Sequence, residues 1–338
     1  MKKLIGVIDT GFDTDVINTL DISHSKVYLG GDLIDGDDNP LVEDNAIDHH
    51  GSHILKIIDS SSGSQSLWLG RSVGSGRWEE SLVEFVEFAK ESDYKNSVIN
   101  LSFDLVQVDE HGTVTTRQWL TQKERAAIEY ALQENVLMIV SSGNQNSSEI
   151  SALGRASQEY ANILTVGAAD GKYRAPYSSY GEGLTLLANG ESELSVSGSS
   201  AAAARVTNAV SHIWSVNPNL NYQQVLTILK TGAADLGDDG WDLETGFGLL
   251  DIEKSASLAS SYVEEDLHAS SALLEQLSEG FQERNILLES ENTVLPMERP
   301  TGPVIDAIKD AFNTVLKGIS KLGGFVNDAD IFPFDTLG

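Results

Sequence analysis

The sequence predicts a three-layer α/β/α fold, with a central mostly parallel sheet covered by helices, followed by a helical C-terminal extension. Three observations predict it. Short apolar runs alternate with longer stretches of helical spacing, the pattern of strands buried on both faces. The best of these runs stop at turn residues, Asp9-Thr10-Gly11 and Ser142-Gly143-Asn144. The pattern then changes near Ser260, which separates residues 1–260 from an extension over residues 261–338.

The elements follow in order. Leu4–Ile8 is a buried strand ending at Asp9, and Lys26–Leu29 is a second. Residues 30–48 form a loop rich in aspartate, asparagine and glycine. The apolar run Ile54–Ile58 behind His49-His50-Gly51-Ser52-His53 reads as a buried helix. A short strand centres on Leu67–Leu69, and Glu79–Lys90 has helical spacing. Ser97–Phe103 is a strand, Gln122–Glu134 an amphipathic helix, and Val136–Ser141 and Ile163–Ala168 are further strands. Four consecutive alanines, Ala201–Ala204, start a helix that runs to about Val216. A helix at Tyr222–Thr231 and a strand and helix at Leu249–Ala259 complete the domain. In the extension, two helical stretches at 264–288 and 304–322 flank a linker with three prolines.

Composition narrows the function. Of 338 residues, 22 are basic and 51 acidic, a net charge of −29 that repels nucleic acid and anionic lipid. There is no cysteine, which excludes disulfides and thiolate metal sites. No apolar run is long enough to span a membrane, and the apolar start stops at Asp9, too short for a secretory signal. The expected location is the cytoplasm, or outside the cell by a route without such a signal. Oligomeric state has no signature.

In parallel sheets, function gathers at the C-terminal strand ends. Asp9, Ser102 and Asn144 lie at or just past such ends. Ser200 lies at the start of the alanine-rich helix, where free N–H groups and the helix dipole favour negative charge. Alone, Ser200 reads as an ordinary N-cap, and Asp9 and Asn144 as turn residues. His49 and His53 share a helical face, a spacing seen in zinc sites, but no H-E-x-x-H acid accompanies them; His53 is read as support for the helix and no metal is assigned there.

Taken together, Asp9-Thr10-Gly11, His50-Gly51-Ser52-His53, Ser142-Gly143-Asn144 and Gly198-Ser199-Ser200-Ala201 resemble the motifs of the subtilase family of serine proteases, in the family order Asp, His, Ser. The resemblance spans about residues 3–259 and implies a subtilisin-like fold for residues 1–260. It implies a serine endopeptidase in which Ser200 is the nucleophile, His50 the general base and acid, and Asp9 the residue that orients His50. Asn144 and the Ser200 N–H would form the oxyanion hole. A polypeptide substrate would lie as an added strand between Ser102-Phe103-Asp104 and Ser141-Ser142-Gly143, with the loop near Gly167 closing the specificity pocket. No cofactor is implied for the chemistry. A structural calcium ion is conceivable at the aspartate-rich loop Asp32–Pro40, with a solvated turn as the alternative. The competing function is a catalytically silent binding or scaffold module.

The chain departs from the family pattern at several points. His49 stands in place of a glycine, Ser52 and Ser199 in place of threonine, and Ala201 in place of methionine. Ala204 and Arg205 replace the usual proline and histidine. Asp104 replaces a glycine beside the groove, which narrows it or favours a basic substrate side chain. For the extension three roles stand beside plain packing: help in folding, an export signal, or placing 331–335 near the groove.

Overall fold

The computed structural model describes residues 2–19, 26–42, 49–59, 65–108, 111–191 and 197–262. The chain divides into two units, 1–288 and 289–338. The second unit, both helical stretches expected in the extension and the 331–335 segment lie outside the described residues.

Within the first unit the elements begin with β1 (Lys3–Asp9), β2 (Phe12–Asp13), α1 (Thr14–Thr19), β3 (Lys26–Asp32), β4 (Leu41–Val42), α2 (His50–Asp59) and β5 (Ser66–Arg71). Next come α3 (Trp78–Glu91), β6 (Asn96–Leu101), β7 (Val106–Val108), β8 (Val114–Thr116), α4 (Gln122–Gln133) and β9 (Val136–Ser141). They continue with α5 (Ala152–Arg155), β10 (Ile163–Asp170), β11 (Tyr173–Arg174), β12 (Leu184–Asn189), α6 (Ser199–Val216), α7 (Tyr222–Gly232) and α8 (Ile252–Ser261).

Eight strands form the main sheet, in the order β11-β10-β9-β6-β1-β5-β3 with β12 also paired to β10. All these pairings are parallel except β10 with β11. The predicted architecture is therefore present. The parallel pairs place the C-terminal ends of β1, β6 and β9 along one edge. Register fixes this closely: Ile8 lies opposite Leu101, and Leu101 opposite Val140.

Side chains alternate across β1, as the period of a strand requires. Ile5 and Val7 enter the large core that also contains residues of α2, α6, α7 and α8. Gly6 points the other way, against the Phe85 ring of α3. Helix α6 is buried along most of its length, with Ala201–Ala204, Val206, Val210 and Ile213 all inside. Small side chains let this helix lie close to the sheet, and Ala has the highest helix propensity. No helix among the described residues is long and apolar enough to cross a membrane.

The structure adjusts several expected elements. The second strand reaches Asp32, so the aspartate-rich loop starts later than expected. Leu249 is no strand but makes isolated bridges to Leu187 and Ala234. Strand β12, the β7–β8 ribbon and the short α5 have no counterpart among the expected elements.

Candidate active site

Asp9 ends the buried strand β1 and is itself 1% exposed. Its Oδ1 meets His50 Nδ1 at 2.7 Å and accepts the Thr10 N–H at 2.7 Å. The other oxygen, Oδ2, is buried with no hydrogen-bond partner. A buried carboxylate needs compensation for lost water, and the Thr10 N–H and the His50 ring supply it on one oxygen.

His50 is the first residue of α2, and its placement depends on its neighbour. A Cβ on Gly51 would lie 2.4 Å from Gly11 O and 2.9 Å from Asp9 Cβ. Only glycine lets this helix start press onto the Asp9 turn. The rest of α2 anchors it through Ile54, Leu55 and Ile58, each fully buried. The start of the helix is thus held by packing.

His49, the departure noted in the sequence, pairs with Asp13: its Nδ1 lies 2.9 and 2.8 Å from the two carboxylate oxygens. Asp13 N donates to Ser52 Oγ at 2.7 Å. This second His–Asp pair ties β2 to the start of α2 beside His50. His53 is half-buried, with its ring 6.3 Å from that of His49. Burial is the first cause that lowers its pKa, followed by the Lys56 charge.

Ser200 is the second residue of α6 and is 8% exposed. Its Oγ donates to Ser102 O at 3.1 Å, while Ser102 Oγ lies 3.2 Å from Ser200 O and 2.7 Å from Asn100 Oδ1. Asn100 Nδ2 in turn donates to Thr207 Oγ1 at 3.0 Å. This polar ladder stitches the end of β6 to α6. Asn100 and Thr207 are supports that the sequence reasoning missed; the available signal was a single amide inside the apolar strand Val98–Leu101.

Asn144 is exposed, and its Oδ1 accepts from Ser199 N at 2.9 Å and Ser199 Oγ at 3.1 Å. The amide oxygen is thereby fixed on the first turn of α6. Gly198, the N-cap, has φ 122° and ψ −174°, and a Cβ there would lie 2.9 Å from both Asn144 Nδ2 and Oδ1. Gly143 N donates to Ser199 Oγ at 3.1 Å.

The two expected substrate segments lie side by side, joined where Ser141 Oγ donates to Phe103 O at 3.3 Å. The side chains of Ser102 and Ser142 point into the protein, with Ser142 Oγ donating to Ser179 O at 2.8 Å. Gly143 O accepts from Ser179 N at 3.0 Å, so both backbone groups of Gly143 are used internally. Phe103 lies against Trp78 with the rings tilted by 59° and their centroids 5.8 Å apart. Asp104 is half-buried, and Gly167 sits inside β10 against Leu187.

The donor set of the aspartate-rich loop does not fit a calcium ion. Arg71 Nη1 donates to Asp32 Oδ2 at 2.6 Å and also pairs with Asp35. Asp32 Oδ1 accepts the N–H groups of Ile34 and Asp35. Arg71 Nε reaches Thr10 O at 2.9 Å, so the guanidinium links this loop to the turn after Asp9. Among the described residues, no group of three or more acidic or histidine side chains is arranged to hold a metal ion.

Comparison with known proteins identifies the family. The family model for subtilases, Peptidase S8, matches residues 2–248. Subtilisin DY of Bacillus licheniformis is 26% identical over 274 residues, covering 75% of this chain and 90% of that protein. Subtilisin-like protease 1 of Plasmodium berghei (strain Anka) is 27% identical over 319 residues, covering 77% of this chain and 51% of that protein. Among solved structures, a lanthipeptide protease has a TM-score of 0.57 at 19% identity, covering 75% of this chain and 87% of that one. The prenylagaramide maturation protease PagA has a TM-score of 0.56 at 18% identity, covering 77% and 94%. These structures share the fold. With a family model matched over most of its length, the chain belongs to the subtilase family of serine proteases.

Proposed function

We propose that this protein is a serine endopeptidase whose triad is Asp9, His50 and Ser200, with Asn144 in the oxyanion hole. The observation that carries the proposal is the buried Asp9–His50 contact of 2.7 Å, at the sheet edge where the first turn of α6 presents Ser200. A hydroxyl is a weak nucleophile near neutral pH and needs a base. His50, bound to Asp9 through Nδ1, has Nε2 as its remaining basic nitrogen. It takes the Ser200 proton as Oγ attacks the peptide carbonyl carbon, and later gives it to the departing amine. Water then repeats the sequence on the acyl-enzyme, releasing the acid and restoring the Ser200 hydroxyl. Asp9 remains ionised, keeps the imidazole in one tautomer and stabilises its protonated form.

The oxyanion needs donors set in place before it forms. Asn144 has its Oδ1 occupied by Ser199, which turns Nδ2 away as the free donor. Ser200 N lies in the first helical turn, where the helix supplies no acceptor of its own. In the resting enzyme the Ser200 hydroxyl is parked on Ser102 O. An incoming strand that donates to this carbonyl would displace the hydroxyl and free it for His50. The reaction uses no cofactor. For the Asp32–Asp35 turn, Arg71 is the cation we propose in place of calcium.

Labelling with a fluorophosphonate, alongside digestion of a peptide library, tests this reading. The wild type is expected to label at Ser200 and to cut peptides internally, and Ser200→Ala to do neither. Folded wild-type protein that does not label would overturn it.

A further inference from the structure

Asp104 carries a buried carboxylate that the proposed triad does not use. It follows Ser102-Phe103 at the end of β6, and a Cβ on Gly143 would lie 3.0 Å from its Oδ2. The carboxylate therefore stands between the two segments that flank the substrate, one residue before Asn144 on the facing side. Both its oxygens are buried without a partner at good hydrogen-bond geometry, and the donors beside them are the Ser151 hydroxyl and the Leu105 N–H. Among the described residues, no arginine, lysine or histidine pairs with it. Burial is the main cause that raises its pKa; the nearby Ser151 hydroxyl and Leu105 N–H pull the other way.

The surroundings repeat the imbalance. Arg117 N donates to Leu105 O at 2.8 Å and Ala152 N to Arg117 O at 2.9 Å, which sets three segments side by side. Gln118 Oε1, on one of these segments, is also buried without a partner. Unsatisfied buried polar atoms are costly, and a carboxylate more so. The donors beside this negative charge, the Ser151 hydroxyl and the Leu105 N–H, are both neutral. A guanidinium or ammonium group brings several donors and the opposite charge together.

We propose that Asp104 selects substrates with a basic side chain, arginine or lysine, on the residue that supplies the scissile carbonyl. The cationic side chain enters between the 102–104 and 141–143 segments and pairs with the carboxylate. Net charge of −29 over the whole chain acts in the same direction, drawing basic peptides toward the protein. This inference rests on the triad reading above and specifies its substrate class.

The test compares kcat/KM for two peptides that differ only at that residue, arginine against its neutral isostere citrulline. Wild type is expected to prefer arginine by about 100-fold, the scale of a buried charge pair lost on one side. Asp104→Asn is expected to cut both peptides at rates within about threefold of each other, with Ser200 still labelled by fluorophosphonate. Wild-type enzyme that labels and cuts yet shows no preference, or Asp104→Asn that keeps the preference, would overturn the proposal. If wild type neither labels nor cuts, the triad reading itself falls and takes this one with it. A second measurement does not depend on the variant folding. Benzamidine should inhibit wild-type cleavage of the citrulline peptide competitively, while neutral benzyl alcohol should not. Equal inhibition by the two would also count against Asp104.

Discussion

The substitution Gly198→Ala isolates the link between the helix start and the amide that faces it. The backbone at Gly198, φ 122° and ψ −174°, lies in a region that side-chain-bearing residues avoid, at a cost of about 1–3 kcal/mol. The new methyl would also sit 2.9 Å from the Asn144 amide nitrogen and oxygen, where ordinary contact begins at 3.4 Å. Relief requires the amide to retreat by about 0.5 Å, which stretches its 2.9 Å bond to Ser199 N beyond good hydrogen-bond length. A misplaced oxyanion donor costs about 10²-fold in turnover, and complete loss up to about 10³-fold. Because the proposed donor would act in the transition state, kcat should fall with KM little changed. Stopped assays on a peptide substrate measure both, and the decisive comparison is a double-mutant cycle with Asn144→Ala. Asn144→Ala should cost about 10²–10³-fold in the wild type, but under about threefold in the Gly198→Ala background. Full loss in both backgrounds, or a Gly198→Ala enzyme within about threefold of wild-type kcat, refutes the coupling.

Two further outcomes follow from the charges around the site. Arg71→Ala removes the partner of Asp32, which is 1% exposed, and leaves a buried carboxylate uncompensated. The expected loss is about 3–5 kcal/mol, read by calorimetry as a Tm lowered by about 10 °C, whereas a calcium chelator should leave the wild-type Tm unchanged. The raised pKa of Asp104 gives the second outcome, with a definite sign. The folded state holds this proton more tightly than the unfolded state, whose carboxyl titrates near 3.8. Its contribution to stability is whole below that pH and is lost as pH rises through the folded value. Asp104→Asn removes the loss, so its Tm should exceed that of wild type at pH 7 and the gap should close toward pH 3. A gap that widens on acidification contradicts the assignment.

The elements that reach the site were legible because their signals are local. The run Val136–Ser141 matches β9 residue for residue, and the alanine block locates the start of α6 to within two positions. Strand ends marked by Asp9 and Asn144 are also local, since a turn must follow a buried strand. Pairings across the fold left no such mark. His49 read as a departure from a glycine position, and only the folded chain shows that it meets Asp13, 36 residues away. Arg71 lies 39 residues from Asp32, and the loop between them read as a cation site because its carboxylates were visible and their partner was not. The β7–β8 ribbon has Val106, Val108 and Val114 exposed, so it carries no inside-outside pattern to read. Strand β12 is buried, but its short apolar run between Gly183 and Gly190 takes its strand character from β10 alongside.

The position of β1 in the middle of the sheet also has a consequence in time. Asp9 and His50 precede Ser200 along the chain, and Ser200 leaves the ribosome 150 residues after His50. At a synthesis rate of about 5–20 residues per second, that interval is about 8–30 s. Strands β6 and β9, which bring Ser102 and Asn144 to the edge, are completed within it. Throughout this period a growing chain with the proposed triad has a base and its orienting acid but no nucleophile. On the proposed triad, emergence of α6 would be the last step that arms the enzyme, and the order of residues along the chain would itself be a timer.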